Sequence, residues 1–337
     1  MNHDSDEQGG ELLGVRRSVW AGLHRWGQEG PPAYPPRECP QSPVPLALTA
    51  PLLMLLLACA PTSPPELLLE PDPQRAGLDG SFGPNGVGFS TFRAARATGQ
   101  SFDVDLHFPA TEDAEMVDGA HPMVVVIQGG AVAHERYLWM GEHLASRGYI
   151  ALTPAYPLDL AIFGGNRTHE AIDRARHLAQ NGDPILGGAI DGQPVGLMGH
   201  SLGGAVAIKQ WLRHEEDLGP LVIVASYPAG GDTVQDKQRP VLSIAGDLDN
   251  SAVPEEVRAG AQRFGNATLA WVQGMNHYDW CDAVTQKERD KENSPHERPA
   301  DESRSDAWRV IDAYLDAEMM GSGQDWSAQD YAGVTLE

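Results

Sequence analysis

A serine between two glycines could act as a nucleophile in this sequence. Ser201 lies in the string GLMGHSLGG, with Gly199 two residues before it and Gly203 two residues after it. The string follows the apolar run Val195–Met198 and precedes a stretch of helical character. Glycines permit a tight strand-to-helix turn from which the serine hydroxyl projects in front of a helix N-terminus. A phosphate-binding loop is the alternative, but neither Gly-Lys-Ser/Thr nor Gly-x-Gly-x-x-Gly follows a suitable strand.

An acid and a histidine follow two later apolar runs. Val241–Ala245 leads into GDLDNSAVP, and Thr268–Val272 leads into GMNHYDW. Asp249 has the Gly-x-x-Asp spacing and is preferred as the acid over Asp247, which could instead cap or turn the loop. His277 is the histidine that follows the last strand. Such a histidine can take the proton of a serine, and the acid can orient it and stabilise the imidazolium that forms.

The elements that would hold these residues are strands and helices in alternation. Stretches with a period of 3.6 residues predict helices between the apolar runs. Because the runs are continuous, they predict strands that are covered on both faces of a parallel sheet. We therefore predict an α/β fold with a mostly parallel, doubly wound sheet, helices on both faces, and chemistry beyond the carboxyl ends of the strands. Ser101–Phe108 alternates instead and predicts a half-buried antiparallel strand near a sheet edge.

From about residue 86 to residue 320 the chain resembles the α/β-hydrolase superfamily, whose members carry serine, acid and histidine in this chain order. The stretches VVVIQGGAVAHERY, GHSLGG and GMNHYDWCD look like those of chlorophyllases, dienelactone hydrolases and bacterial cutinases or polyester hydrolases. The resemblance implies that Ser201, Asp249 and His277 cleave carboxylic esters through an acyl-enzyme. It implies no metal and no organic cofactor.

The resemblance also implies an oxyanion hole with two backbone donors. One would be the amide of Leu202, and the other would come from the loop QGGAVAHERY. Gly130 is the preferred second donor, with Ala131 next to it as a substrate-binding residue. Gln128 stands where many relatives have histidine, but a backbone donor does not depend on that side chain.

Loop lengths predict an open site without a large cap domain. Only Ser226–Pro240 separates two successive predicted strands, which is too short for a lid. A small-molecule or extended ester could then enter from solvent. Tyr156–Thr168 and Tyr227 would line the substrate groove, although ordinary packing at the sheet edge explains them equally well. The densely charged segment Asp282–Arg304 is expected to be a solvated surface loop, or else a gate over the site.

Several functions remain open for such a site. A lipase, an amidase or a platelet-activating-factor-type lipid hydrolase would use the same three residues. A lipoprotein that keeps the fold as a non-catalytic binding module belongs to another class. The formal net charge of −23 excludes a nucleic-acid partner, since such binding requires a basic surface.

The N-terminal part of the chain predicts export. Leu46–Ala58 has the length of a signal-peptide apolar region and ends before Cys59 in a pattern that resembles a lipobox, so Cys59 would be lipidated and anchor the chain to a membrane. About 45 residues precede this run, so either the true start lies later or the leader is unusual. We expect an exported bacterial lipoprotein of the cell envelope, anchored in the outer membrane, or a secreted protein.

The expected organisation has four parts. Residues 1–58 would be the leader, 59–85 a proline-rich tether, 86–320 the catalytic domain and 321–337 a C-terminal tail. Cys39 would leave with the leader and Cys59 would carry the lipid. Cys281 would then stand alone, so no intrachain disulfide is expected in the mature form.

Overall fold

A computed structural model describes residues 63, 65–70, 82–96, 98–292 and 298–337. The expected leader, the lipidation site at Cys59 and most of the expected tether lie outside these residues. No helix in the part of the chain that is described is long and apolar enough to cross a membrane.

A ten-stranded sheet organises the described residues, with the strand order β1-β2-β3-β5-β4-β6-β7-β8-β9-β10. The strands are β1 Glu66–Leu69, β2 Gly86–Ala95, β3 Ser101–Ala110, β4 Met123–Ile127, β5 Ile150–Pro154, β6 Val195–His200, β7 Leu218–Val224, β8 Val241–Gly246, β9 Ala267–Val272 and β10 Val334–Leu336. The central part of the sheet is parallel and consists of six adjacent strands, in the order β5-β4-β6-β7-β8-β9. Their carboxyl ends therefore share one edge of the sheet.

Helices cover both faces of this sheet. They are α1 Leu138–Ser146, α2 Arg167–Gln180, α3 Leu202–Arg213, α4 Pro254–Ala261, α5 Gln286–Glu292 and α6 Ala300–Met319. Helices α2 and α3 pack on one face, where Val125 and Ile127 of β4 point. Helices α1, α4 and α6 pack on the other face, where Val124 and Val126 point. Burial on both faces is the reason that the central strands are continuously apolar, and it confirms the predicted fold.

Strand β3 differs from its expected half-buried character. It lies inside the sheet between β2 and β5, and both Asp105 and His107 are buried. For His107 the cause is α1, whose Gly141 backbone lies directly against the imidazole ring. Asp105 instead accepts a hydrogen bond from Thr91 Oγ1 and contacts His134 Nε2. Asp103, the third polar residue of the alternating pattern, is exposed.

The sheet extends beyond the expected boundaries of the catalytic domain at both ends. Strand β1, within the expected tether, pairs antiparallel with β2. Strand β10, within the expected tail, pairs antiparallel with β9. Both are short edge strands whose pairing depends on a partner distant in sequence, so local patterns did not indicate them. Residues 225–240, between β7 and β8, form turns without a helix or strand, which leaves this connection uncapped.

Candidate active site

Ser201 occupies a sharp turn between β6 and α3. Its backbone angles are φ 53° and ψ −122°, a left-handed conformation that side chains rarely adopt. The turn is tight because Gly199 and Gly203 allow close backbone contact. A Cβ on Gly199 would lie 2.5 Å from the Gly203 carbonyl oxygen, and one on Gly203 would lie 2.3 Å from the Gln128 carbonyl oxygen. The turn presents the serine hydroxyl at the carboxyl edge of the sheet.

His277 lies between Ser201 and Asp249 and contacts both. Its Nε2 is 3.0 Å from Ser201 Oγ, and its Nδ1 is 2.8 Å from Asp249 Oδ2. Asp249 and His277 are 4% and 5% exposed, so water is largely excluded from the contact between them. The other carboxylate oxygen of Asp249 accepts hydrogen bonds from the amides of Ser251 and Ala252 at 2.8 and 2.6 Å. These bonds fix the orientation in which Asp249 meets the imidazole.

Asp247, the other candidate acid, has a different contact. Its Oδ1 accepts a hydrogen bond from the Gly274 amide at 2.7 Å and joins the loops that follow β8 and β9. Asp247 therefore stabilises the turn of the loop, which is the alternative role that the sequence allowed for it.

Two backbone amides flank the serine on the side of β4. The amides of Gly130 and Leu202 take no part in the backbone hydrogen bonds of the described residues, whereas the Ala131 amide donates to the Asp159 carbonyl oxygen at 2.9 Å. Gly130 also lies against Leu202, since a Cβ on Gly130 would be 2.8 Å from Leu202 Cδ2. The amides of Gly130 and Leu202 can therefore donate to an oxygen in front of Ser201, whereas the Ala131 amide is already engaged with Asp159.

The side chain of Gln128 is buried beneath this loop. Its Nε2 donates to the Val132 carbonyl oxygen at 2.8 Å and holds the loop in shape. This hydrogen bond stabilises the loop after β4 from its buried side, and it does not involve the amides of Gly130 and Leu202.

Comparison with known proteins decides the family. A family model described as the alpha/beta hydrolase family matches residues 123–300, just over half of the chain. The chain belongs to the alpha/beta hydrolase family. Comparison with curated proteins finds no match.

A buried polar network supports the turn of this hydrolase, and no local sequence pattern indicated it. Tyr137 Oη lies 2.8 Å from His200 Nδ1 and accepts from the thiol of Cys281 at 3.6 Å and from the Gly129 amide. Because the oxygen already accepts two bonds, its own proton points at His200 Nδ1. Burial holds the pKa of Tyr137 well above its usual range.

His200 keeps a neutral ring beside the candidate base of this hydrolase. The rings of His200 and His277 are 4.7 Å apart between centroids. Burial first, and then the neighbouring His277, lower the pKa of His200 well below its usual range. A second charge here would oppose an imidazolium on His277, so a neutral His200 favours proton transfer to His277.

The expected substrate-binding tyrosines have other partners. Tyr156 is 6% exposed and its hydroxyl is 2.8 Å from Thr168 Oγ1, so it supports its loop from beneath. This matches the packing alternative and not a lining role. Tyr227 is half-buried at the carboxyl end of β7 and donates to Glu256 Oε2 at 2.7 Å. Its hydroxyl is therefore engaged with α4, and its Cβ lies beside Gly260 of the same helix.

The charged segment after His277 also differs from expectation. It contains α5, and Glu292 at the end of that helix is only 2% exposed, in contact with the loop that carries Asp249. In the residues that the structure describes, no cluster of three or more His, Cys, Asp or Glu side chains could hold a metal ion.

Proposed function

We propose that this hydrolase cleaves carboxylic esters through an acyl-enzyme on Ser201. The observation that carries the proposal is the hydrogen-bonded chain from Ser201 through His277 to Asp249, with distances of 3.0 and 2.8 Å. A nucleophile within hydrogen-bond reach of a base, which is itself oriented by an acid, is the arrangement that acyl transfer requires.

The proposed reaction has two steps. His277 Nε2 takes the proton as Ser201 Oγ bonds to the ester carbonyl carbon, and the amides of Gly130 and Leu202 stabilise the oxyanion. The carbonyl re-forms, the bond to the alcohol oxygen breaks, and the alcohol leaves with the proton from His277. Water then attacks the acyl-enzyme in the same way and releases the carboxylic acid and the free serine.

A fluorophosphonate probe tests the nucleophile. The wild-type protein should be labelled at Ser201 and should hydrolyse nitrophenyl acetate, whereas Ser201→Ala should do neither. Asp249→Asn should lower kcat by several orders of magnitude, because it presents the wrong partner to the imidazole, while Asp247→Asn serves as the matched control with a smaller effect. Full activity of Ser201→Ala would refute the proposal, and an unlabelled wild-type protein would revive a non-catalytic binding module.

The surface beside the site supports an apolar ester as substrate. Leu158, Ile162 and Phe163 are 81%, 39% and 54% exposed on the loop after β5, and Val253 is 41% exposed on the loop after β8. In the sheet order, β5 and β8 each lie two strands from β6, or about 10 Å to either side of Ser201. The loops that carry these exposed apolar side chains therefore begin on either side of the serine.

An acyl-chain series tests this substrate class. If a chain is buried against the loop after β5, kcat/KM should rise by up to about fourfold for each methylene added to a nitrophenyl ester. Phe163→Ser should flatten this rise and leave acetate hydrolysis unchanged. Met320→Ser is the matched control, since Met320 is similarly exposed at the end of α6 and lies near Gly148, which precedes β5.

A wider panel, with triglycerides, anilides and phospholipids beside the nitrophenyl esters, separates the proposed esterase from hydrolases that share its mechanism. The motifs around Gly130, Ser201 and His277 support an esterase of the chlorophyllase, dienelactone hydrolase and bacterial cutinase type. A preference for long-chain triglycerides, for anilides or for short-chain phospholipids would instead indicate a lipase, an amidase or a platelet-activating-factor-type hydrolase.

We also propose that the protein is an exported lipoprotein anchored through Cys59, a residue outside the described part of the chain. The support is the apolar run that ends at this cysteine. Mass spectrometry of the mature N-terminus tests it. A lipid-modified Cys59 is expected, and an unmodified chain that retains Met1 would refute both the cleavage and the anchor.

A further inference from the structure

Residues 282–292 of the charged segment that follows His277, here called the strap, contact the loop that carries Asp249 and the turn that contains Arg136. Its helix α5 ends at Glu292, whose side chain is almost completely buried although it carries a carboxylate. Burial of a charge is costly unless the charge is hydrogen-bonded, so the partners of Glu292 indicate what it does.

Glu292 contacts two separate loops of the proposed active site. On the acid loop, its Oε2 accepts from the Asn250 amide at 2.9 Å and its Oε1 accepts from Ser251 Oγ at 2.7 Å. On the histidine loop, its Oε2 faces the His277 amide at 3.5 Å, a longer and weaker contact. The Glu292 carbonyl oxygen also accepts from the side-chain amide of Asn250.

The other end of the strap is fixed beside the oxyanion loop. Arg136 donates to both carboxylate oxygens of Glu288 at 2.8 and 3.0 Å, and the Asp282 amide donates to the Arg136 carbonyl oxygen at 3.1 Å. Burial alone would raise the pKa of Glu288, but the hydrogen bonds from Arg136 and Thr285 lower it to about 2. Glu288 is therefore charged at neutral pH, and the two-point contact holds α5 in one orientation.

These contacts matter because the proposed acid and base come from different loops. Asp249 follows β8 and His277 follows β9, and their 2.8 Å hydrogen bond requires both loops to keep their relative position. We propose that Glu292 is a positioning residue, whose carboxylate holds the acid loop against the histidine loop so that Asp249 orients His277. This inference rests on the proposed function, because it assigns Glu292 a role in that reaction.

A Glu292→Gln variant distinguishes the effect of the hydrogen bonds of residue 292 from the effect of its negative charge. A glutamine can put its carbonyl oxygen where Oε2 accepts from Asn250 and His277. Its amide group can then donate to Ser251 Oγ, which reverses the direction of that one bond. Glu292→Gln therefore keeps the contacts without the charge, and Glu292→Ala removes both.

Steady-state kinetics on nitrophenyl esters and the rate of fluorophosphonate labelling test the proposal. Glu292→Ala should lower kcat and the labelling rate by roughly 10- to 100-fold, the effect of a small misplacement of catalytic groups. KM should change less than about twofold, because the substrate surface is untouched. Glu292→Gln should restore kcat to within about threefold of wild type. Asp290→Asn, which removes an exposed charge from the same helix, should leave both rates unchanged.

Each result bears on the proposal separately from the esterase assignment. A folded Glu292→Ala variant with wild-type kcat, or a Glu292→Gln variant as slow as the alanine variant, would overturn positioning by hydrogen bonds. If Glu292→Ala does not fold, Ser251→Ala gives the same test by deleting one partner. A fall in kcat at constant KM then supports the proposal, and an unchanged kcat overturns it. Loss of the esterase assignment would instead show as a wild-type protein that neither reacts with the probe nor hydrolyses any ester.

Discussion

The backbone strain at Ser201, the proposed nucleophile, should lower the free energy of unfolding, and a glycine at this position should relieve the strain. At φ 53° and ψ −122° the Cβ of any side chain is crowded, and only glycine adopts this region freely. Residues held in such regions cost about 1–3 kcal/mol. Ser201→Gly and Ser201→Ala both lack the hydroxyl that contacts His277, so a comparison between these two variants isolates the effect of the Cβ.

The expected difference follows from two opposing terms. Glycine relieves about 1–3 kcal/mol of strain and loses about 0.5–1 kcal/mol through the greater freedom of the unfolded chain. Ser201→Gly should therefore be more stable to urea than Ser201→Ala, by up to about 2.5 kcal/mol with an unchanged m-value. Ala205→Gly, in the interior of α3, is the control and should lower stability by about 1 kcal/mol. A Ser201→Gly variant no more stable than Ser201→Ala would refute the claim that this turn is strained.

Three further predictions concern buried residues of the fold. Burial lowers the pKa of His107 to about 4, against 6.5 in the unfolded chain. The contribution of the neutral His107 to the free energy of unfolding should therefore be fully present above pH 6.5, and about 3 kcal/mol of it should be lost as the pH falls to 4. Urea unfolding at pH 7 and at pH 4 should show this loss in the wild-type protein and not in His107→Leu, and an equal loss in both proteins would contradict it. Gly203→Ala should prevent formation of the turn, because its Cβ would meet the Gln128 carbonyl oxygen at 2.3 Å; unreduced probe labelling would contradict this. Tyr137→Phe should lower stability by about 1–3 kcal/mol in urea, since it leaves His200 Nδ1 without its donor, and an unchanged midpoint would argue against the network.

Much of the fold could be predicted because its central strands are buried on both faces. A strand such as β4 has to be apolar throughout, so a run of five apolar residues indicates both its presence and its place inside a sheet. Chemistry at the ends of parallel strands follows from the same topology. Ser201, Asp249 and His277 could be singled out because each follows one of these runs, and the structure brings all three together.

The rest depended on contacts between residues that are distant in sequence. Asp105 and His107 have the alternating pattern of an exposed strand face, yet both are buried, and the backbone of α1 lies against the His107 ring. Glu292 is one acid in a run of charges, and nothing near it in sequence marks it as buried. Tyr137 and His200 are separated by 63 residues, so their hydrogen bond leaves no local pattern. Local sequence indicates the periodicity of a helix or strand. The environment of these residues depends instead on which other element packs against them.

The distribution of backbone strain supports the location of the site independently of any side-chain role. Among the described residues, the non-glycine residues with positive φ are Ala114, Ala131, Leu158, Asp159, Ser201 and Ala225. All except Ala114 lie on the loops that follow β4, β5, β6 and β7, at the carboxyl edge of the sheet. Strained residues persist only where the surrounding structure holds them, and they concentrate at functional sites. The same strained turn that exposes Leu158 supplies the Asp159 carbonyl oxygen that accepts from the Ala131 amide. The exposed apolar side chains and the proposed oxyanion donors therefore lie on loops joined by a hydrogen bond, so a substitution that relaxes the loop after β5 should alter chain-length preference and kcat together.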